Sequence, residues 1–303
     1  MYYKNMIDAI GNTPLVKIPF NTPATVLLKL EYLNPGGSVK DRSALYMIEQ
    51  AEKNGFLKPG GTIIDASSGN QGIALTMIGR LKGYKVIITV SEKISDEKYK
   101  TLKAYGAHVV MCPKTKFIED PKSYHMQAHK IHAETPGSFM PDQYYNIENR
   151  WGHYNLLGPE IWKQTEGKVT HYFAGLGTGG TASGAGQYLK EQNPKIHVTG
   201  IDSENSLRAT NGNPKPYDIE GIGIDFTSEV INYDVIDEII NVGDAESIAM
   251  LKTLVNDYGV LVGPSTGAVV AGFHKKIQTF TKDDFIVIIC GDSGRAYLSK
   301  DFY

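Results

Sequence analysis

Seven short apolar runs alternate along this chain with amphipathic stretches, and that alternation restricts the fold more than any other feature. Val26–Leu30, Thr62–Asp65, Val86–Val90, His108–Met111, His171–Ala174, His197–Ile201 and Phe285–Cys290 read as short buried strands. Between them, Gly72–Leu81, Asp96–Tyr105, Ser123–Glu134, Tyr154–Gln164, Ala182–Glu191, Ala245–Tyr258 and Gly267–Phe280 carry helical spacing. Strand followed by helix, repeated, predicts an α/β fold with mainly parallel sheets covered on both faces. No fixed-period repeat, low-complexity tract or Pro/Ser linker interrupts the pattern. In such sheets ligands bind beyond the carboxyl ends of the strands, so the loops there are where chemistry is expected.

Composition removes several classes of function. The chain has 303 residues, 41% of them apolar and 21% charged, which suits two domains with self-sufficient cores. A net charge of −2 gives no electrostatic reason to expect nucleic acid or an anionic membrane as partner. Residues Val169–Leu189 lack Asp, Glu, Lys and Arg over a length that could cross a bilayer, but six glycines mark them as loop-bearing. Two cysteines, Cys112 and Cys290, are too few for a disulfide framework and read as small buried hydrophobes. No secretory leader is visible at the N-terminus, and the expected setting is the cytoplasm.

Three loops carry the chemistry. After the strand at Ile63–Asp65, the turn Ala66-Ser67-Ser68-Gly69-Asn70-Gln71 gathers hydroxyls, amides and free N–H groups at a helix N-terminus, a setting for a carboxylate. Plain N-capping by one of those residues is the blander account. After the strand at His171–Ala174, Gly175-Leu176-Gly177-Thr178-Gly179-Gly180-Thr181 offers backbone amides and two hydroxyls to a phosphate. The same loop spells GxGxxG, with Asp202 at the end of the next strand, so a nicotinamide dehydrogenase built on Gly175–Gly180 is a rival reading. The third loop, Asn34-Pro35-Gly36-Gly37-Ser38-Val39-Lys40-Asp41-Arg42, is a turn leading into a helix that begins at Val39 with Ser38 as its cap. Lys40 then lies in the first helical turn, where the dipole disfavours a cation and favours a neutral, nucleophilic amine. The alternative is a solvated lysine paired with Asp41. An amine, a phosphate cradle and a carboxylate cradle together suit pyridoxal phosphate with an amino-acid substrate.

The motifs also resemble a family. Ile10-Gly11-Asn12-Thr13-Pro14-Leu15-Val16, the three loops, Pro141-Asp142-Gln143-Tyr144, Glu220-Gly221-Ile222-Gly223 and Gly263-Pro264-Ser265-Thr266-Gly267-Ala268 occur in the order seen in fold-type II pyridoxal-phosphate enzymes of the cysteine synthase and cystathionine β-synthase group. The resemblance implies a tryptophan synthase β-like fold of two domains. Residues 41–148 would form a smaller, mobile domain bearing the carboxylate loop, and 1–40 with 149–303 a larger one bearing the phosphate loop. Position by position it implies Lys40 as Schiff-base lysine and acid/base. Asn70 would meet the cofactor's phenolic oxygen, Gly177, Thr178, Gly179, Gly180 and Thr181 its phosphate, and Ser265 its ring nitrogen, with Gly223 beside it. Ser67, Ser68, Gln71, Gln143 and Tyr144 would hold the substrate. The implied reaction is β-replacement on serine, cysteine or O-acetylserine by a thiol through an aminoacrylate, with sulfide release when cysteine is the substrate. A catalytically silent amino-acid-binding protein is the third alternative.

Within the group, Glu92–Ser95, Phe117–Ser123, and Asp142–Tyr144 with His153–Tyr154 look more like cystathionine β-synthase. Asp225 stands beside the Gly223 turn where a typical cysteine synthase has a small residue, and facing the pocket it would bind a serine hydroxyl or a second amino acid's amine. Gln71 departs from the family's usual Thr. The haem-binding and adenosyl-cofactor modules of some relatives are not expected, and a homodimer is. His125, His129 and His132 share one face of a predicted helix, but no acid or cysteine stands at ligand spacing, so no metal is expected.

Overall fold

The computed structural model describes residues 2–67, 69–115 and 118–303. Among them the strands are β1 (Leu15–Lys17), β2 (Thr25–Leu30), β3 (Thr62–Ala66), β4 (Lys85–Ser91), β5 (His108–Cys112), β6 (His171–Gly175), β7 (His197–Ser203), β8 (Glu238–Val242) and β9 (Phe285–Cys290). The helices are α1 (Lys40–Lys53), α2 (Asn70–Leu81), α3 (Asp96–Tyr105), α4 (Tyr124–Glu134), α5 (Glu148–Gly152), α6 (Gly158–Gln164), α7 (Gly180–Gln192), α8 (Asp244–Tyr258) and α9 (Pro264–His274). The strands form a six-stranded sheet, β1-β2-β9-β6-β7-β8, and a three-stranded sheet, β3-β4-β5. Every pairing is parallel except β1 with β2. The α/β reading with mainly parallel sheets in two units is therefore correct.

Why the strands read as unbroken apolar runs is visible in their packing. Strand residues alternate between faces, and here both faces are covered. Phe173, Ile286 and Ile288 pack with α8 and α9 residues such as Leu251 and Phe273. Their neighbours Tyr172, Ala174 and Val287 pack with Ile161, Ala185 and Leu189 of α6 and α7. In the smaller sheet Ile63, Val86 and Ile88 bury against Ile48, Ala74 and Leu102, and Ile64 and Ala66 face Ala128 of α4.

Helix α1 joins the two units. Val39 N–H donates to Gly291 O at 2.8 Å, just past β9, so the helix starts at the carboxyl edge of the larger sheet. Ala44, Ile48 and Ala51 then pack into the smaller core. A buried ionic cluster fixes this start. Arg42, 1% exposed, donates from Nε and Nη2 to Glu31 at 2.7 and 2.9 Å and from Nη1 and Nη2 to Glu160 at 2.9 and 3.0 Å. Lys29 also bonds Glu160, and both N–H groups of Asn12 and Thr13 donate to it.

Two helices depart from the bounds read in the sequence. The helix expected over Tyr154–Gln164 begins at Glu148 and passes through a π turn at His153–Leu157 before α6. Helix α7 crosses so closely that a Cβ at Gly184 would lie 2.2 Å from Arg150 O, and a side chain at that position of α7 would force the helices apart. The helix expected to run to Phe280 ends at His274, and a 3₁₀ turn at Ile277–Thr279 follows.

Candidate active site

The N-termini of α1, α2, α7 and α9 all stand at carboxyl edges of the two sheets. The phosphate-type loop is the best defined element. The N–H groups of Gly177, Thr178 and Gly179 have no acceptor among the described residues, three donors in succession beside the N-terminus of α7. Such an array fits an anion. The glycines are required by close approach. A Cβ on Gly177 would lie 2.8 Å from Gly221 O, and on Gly180 2.5 Å from Asn149 Oδ1. Gly179 sits at φ +83°, and its Cβ would meet Ile231 Cβ at 2.6 Å.

Residues that the sequence did not single out hold this loop. Asn149 Nδ2 donates to Thr178 Oγ1 at 3.1 Å and to Gln143 O at 2.7 Å, while its Oδ1 is buried without a partner. Ser228 Oγ donates to Thr178 O at 2.8 Å. His153 Nε2 lies 3.2 Å from Thr181 Oγ1. Burial, with the Lys40 and Arg42 charges adding to it, pushes the His153 pKa well below the usual imidazole value, so the ring is neutral. Asn149 and Ser228 leave no motif in the sequence, because their partners lie 29 and 50 residues away.

Ser265, the second residue of α9, reaches the loop from the other side. Its Oγ would lie 3.2 Å from a Cβ on Gly221 and 3.4 Å from one on Gly291. Gly221 and Gly223 have φ of +93° and +72°, and Gly223 N–H donates to Leu176 O at 2.9 Å. The Glu220–Gly223 turn thus packs on the Gly175–Thr181 loop with Ser265 at the same point.

Lys40 is the first residue of α1, and its N–H donates to Ser38 Oγ at 3.2 Å. The helix thus begins one residue later than expected, with Val39 and not Ser38 at the N-cap position, and Ser38 supports it only through this contact. The alternative pairing of Lys40 with Asp41 is absent. Asp41 instead accepts from Gly36 N–H at 2.5 Å, and its other oxygen is buried with no partner. No described group bonds the Lys40 ammonium, and burial alone lowers its pKa to about 8. Unopposed desolvation favours the neutral amine, the form able to act as nucleophile or base.

The Ala66–Gln71 turn divides its duties. Ser67 Oγ accepts from Gly72 N–H at 3.0 Å and Gly69 N–H at 3.4 Å, so it serves as a helix cap. Ser68 lies outside the described residues. Gln71 is 1% exposed, accepts from Ser43 Oγ at 3.3 Å, and leaves Nε2 without a partner. Asn70 Nδ2 donates to Asp292 Oδ2 at 2.7 Å. That oxygen also accepts from Tyr297 OH at 2.6 Å, and burial raises the Asp292 pKa. Lys98 Nζ lies 4.1 Å from the Tyr297 ring centroid and bonds Glu220 at 2.6 Å, and Lys300 bonds the other Glu220 oxygen at 2.6 Å. These contacts join α2 and α3 of the smaller unit to the larger one directly beside the site.

Tyr144 stacks edge-on to Phe226 at 4.8 Å, and burial raises its pKa, with nearby acids including Asp225 adding to the effect. Gln143 is 8% exposed and its carbonyl is tied to Asn149. Asp225 is exposed and accepts from Tyr217 OH at 3.1 Å. The dehydrogenase reading fails on Asp202. Its carboxylate is fully buried and accepts from Ser206 Oγ at 2.7 Å and Arg208 Nε at 2.8 Å, so it cannot receive a ribose.

A free lysine amine, three orphan N–H donors in a cradle with no room for side chains, and a serine opposite them fit a phosphate-bearing aldehyde. Comparison with known proteins agrees. The chain is 41% identical to a cystathionine beta-synthase of Apis mellifera over 305 residues, 98% of this chain but 60% of that protein's length. It is 39% identical to a cysteine synthase of Staphylococcus aureus (strain Mu50 / ATCC 700699), covering 99% of this chain and 96% of the relative. The structure of an O-acetylserine dependent cystathionine beta-synthase from Helicobacter pylori superposes with a TM-score of 0.92 at 35% identity, covering 100% of this chain and 99% of that one. No helix among the described residues is long and apolar enough to cross a membrane. Residues 6–291 match the family described as pyridoxal-phosphate dependent enzyme, and the chain belongs to that family.

Proposed function

We propose that this protein catalyses β-replacement: a thiol displaces the β-substituent of serine, cysteine or O-acetylserine. The observation that carries the proposal is the unpaired Lys40 amine beside a cradle of unsatisfied N–H groups and a neutral Ser265 hydroxyl. Pyridoxal phosphate, when bound, supplies a carbonyl for the substrate's amine and an electron sink for its α-carbon. Gly177, Thr178, Gly179, Gly180 and Thr181 would hold its phosphate, Asn70 its phenolic oxygen, and Gly223 would stand near its ring. Lys40 Nζ would anchor it and serve as the base and acid for the substrate's α-proton. Ser265 would hydrogen-bond its ring nitrogen without a carboxylate's power to keep that nitrogen protonated, which suits loss of a β-substituent better than transamination.

Gln71 Nε2 is the free buried donor for the substrate carboxylate, with Gln143 and Tyr144 across from it. Ser67 acts through the helix it caps, and Ser68, outside the described residues, is assigned to the substrate carboxylate. Asp225 faces the second substrate, holding the leaving hydroxyl or an incoming amine. The unit over residues 41–148 closes on the substrate while 1–40 and 149–303 stay fixed. The working form is a cytoplasmic homodimer.

The test is direct. Cofactor-loaded protein is given serine, cysteine or O-acetylserine, each with homocysteine or sulfide, and cystathionine, cysteine and released sulfide are quantified. At least one pair turns over, and Lys40→Ala abolishes product while the protein remains folded. Turnover surviving Lys40→Ala, or no product from any pair, overturns the proposal. Reaction of O-acetylserine alone removes the role given to Asp225.

A further inference from the structure

The sequence places three histidines on one face of α4 with no acid at ligand spacing from them. The fold separates the three and supplies the acid. His132 Nδ1 lies 2.7 Å from Ser138 Oγ and is engaged there. His125 and His129, one turn apart, lie ring against ring at 4.6 Å between centroids. Asp142 is brought to them from the segment after α4, and one ligand atom from each of the three lies within 4.8 Å of the others.

Three observations separate this cluster from a chance meeting of polar side chains. His125 Nε2 is shielded from solvent and has no hydrogen-bond partner among the described residues. Asp142 has φ +47°, a left-handed conformation that residues other than glycine adopt at a cost. Its backbone is pinned in that conformation, donating to Asp65 Oδ1 at 3.3 Å and accepting from Tyr145 and Asn146 N–H at 3.1 and 2.9 Å. The carboxylate itself takes no hydrogen bond from any described group. The backbone is thus held so that a free carboxylate faces two imidazoles.

We infer that His125, His129 and Asp142 form a binding site for a divalent first-row transition ion, with zinc or cobalt as the fitting probes. Two imidazole nitrogens and one carboxylate oxygen are the ligand set such ions take, leaving at least one position for water. Donors around tetrahedral zinc stand roughly 3.4 Å apart, so the widest pair here must close by about 1.4 Å. His129 is partly exposed and can rotate by that amount without disturbing the core. The bound ion ties α4 to the segment that continues into Gln143 and Tyr144. The inference does not depend on the proposed reaction.

Chelator-treated holoenzyme is titrated with zinc chloride by calorimetry, and with cobalt chloride by visible absorption beyond the cofactor's band. One ion binds per chain, and cobalt gives ligand-field bands of imidazole–carboxylate coordination. His129→Ala weakens zinc binding by roughly tenfold or more and removes the cobalt bands. Asp142→Asn does the same, and circular dichroism of both variants matches the parent. His132→Ala leaves the titration unchanged. Absence of binding overturns the site, as does binding that survives His129→Ala or falls equally with His132→Ala.

Discussion

The sharpest consequence of the site geometry is the state of one amine. Lys40 has burial acting on it and no carboxylate opposing, so its pKa falls to about 8 from the ordinary 10.5. At pH 7 about one such amine in ten is free base, against roughly one in three thousand for an ordinary lysine, a difference of about 300-fold. In cofactor-stripped protein, trace labelling with acetic anhydride across pH 6–11 reads this directly when the Lys40 peptide of the folded chain is compared with the same peptide of the urea-unfolded chain. In the folded chain Lys40 labelling reaches half its plateau near pH 8, well below the ordinary 10.5. The Asp41→Asn variant leaves that midpoint in place, because the Asp41 carboxylate turns to Gly36. The sign for stability is fixed as well. The folded chain holds fewer protons at this lysine than the unfolded chain between about pH 8 and 10.5, so a cost present below pH 8 is relieved as pH rises. A Lys40 midpoint that is the same in the folded and the unfolded chain refutes the reasoning. A further fall in the midpoint with Asp41→Asn shows that the two residues are paired after all.

Other consequences are equally open to measurement. Gly179→Ala places a methyl group 2.6 Å from Ile231 Cβ at a φ of +83°, and the purified variant retains less than a tenth of the parent's cofactor by absorbance, roughly the loss of one well-made anion contact or more. Arg42→Met leaves the buried Glu31 carboxylate without its cation and takes from Glu160 one of its two cationic partners, and equilibrium urea unfolding shows a loss of about 3–5 kcal/mol. Burial raises the Asp65 carboxyl to about 7, so Asp65→Asn stabilises the protein by an amount that grows from nothing near pH 4 to its full size above pH 7. Lys98→Met breaks the bond to Glu220 across the two units and raises KM for the amino-acid substrate more than it lowers kcat.

What the sequence reveals depends on whether a signal is local or assembled. Central strands such as β6 and β9 are legible because both faces are buried and nearly every residue is apolar. The edge strands β1 and β8 escape notice, since Leu15–Lys17 is mostly exposed and Glu238–Val242 alternates with solvent. The motif loops are legible for the same reason as the central strands. A glycine cradle, a capped turn and a lysine in a first helical turn are each complete within about a dozen residues. Their partners are not. Asn70 meets Asp292 across 222 residues of chain, and Asn149 supports Thr178 from another helix. A spacing rule sees only groups that recur on one element, and on α4 it found three histidines and no acid. The fold placed His132 against Ser138 and brought Asp142 from the next segment, in a left-handed backbone conformation that no motif in the sequence announces. Chemistry carried by a contiguous loop can therefore be read before folding. Chemistry that depends on a carboxylate arriving from elsewhere appears only when the chain has closed around it.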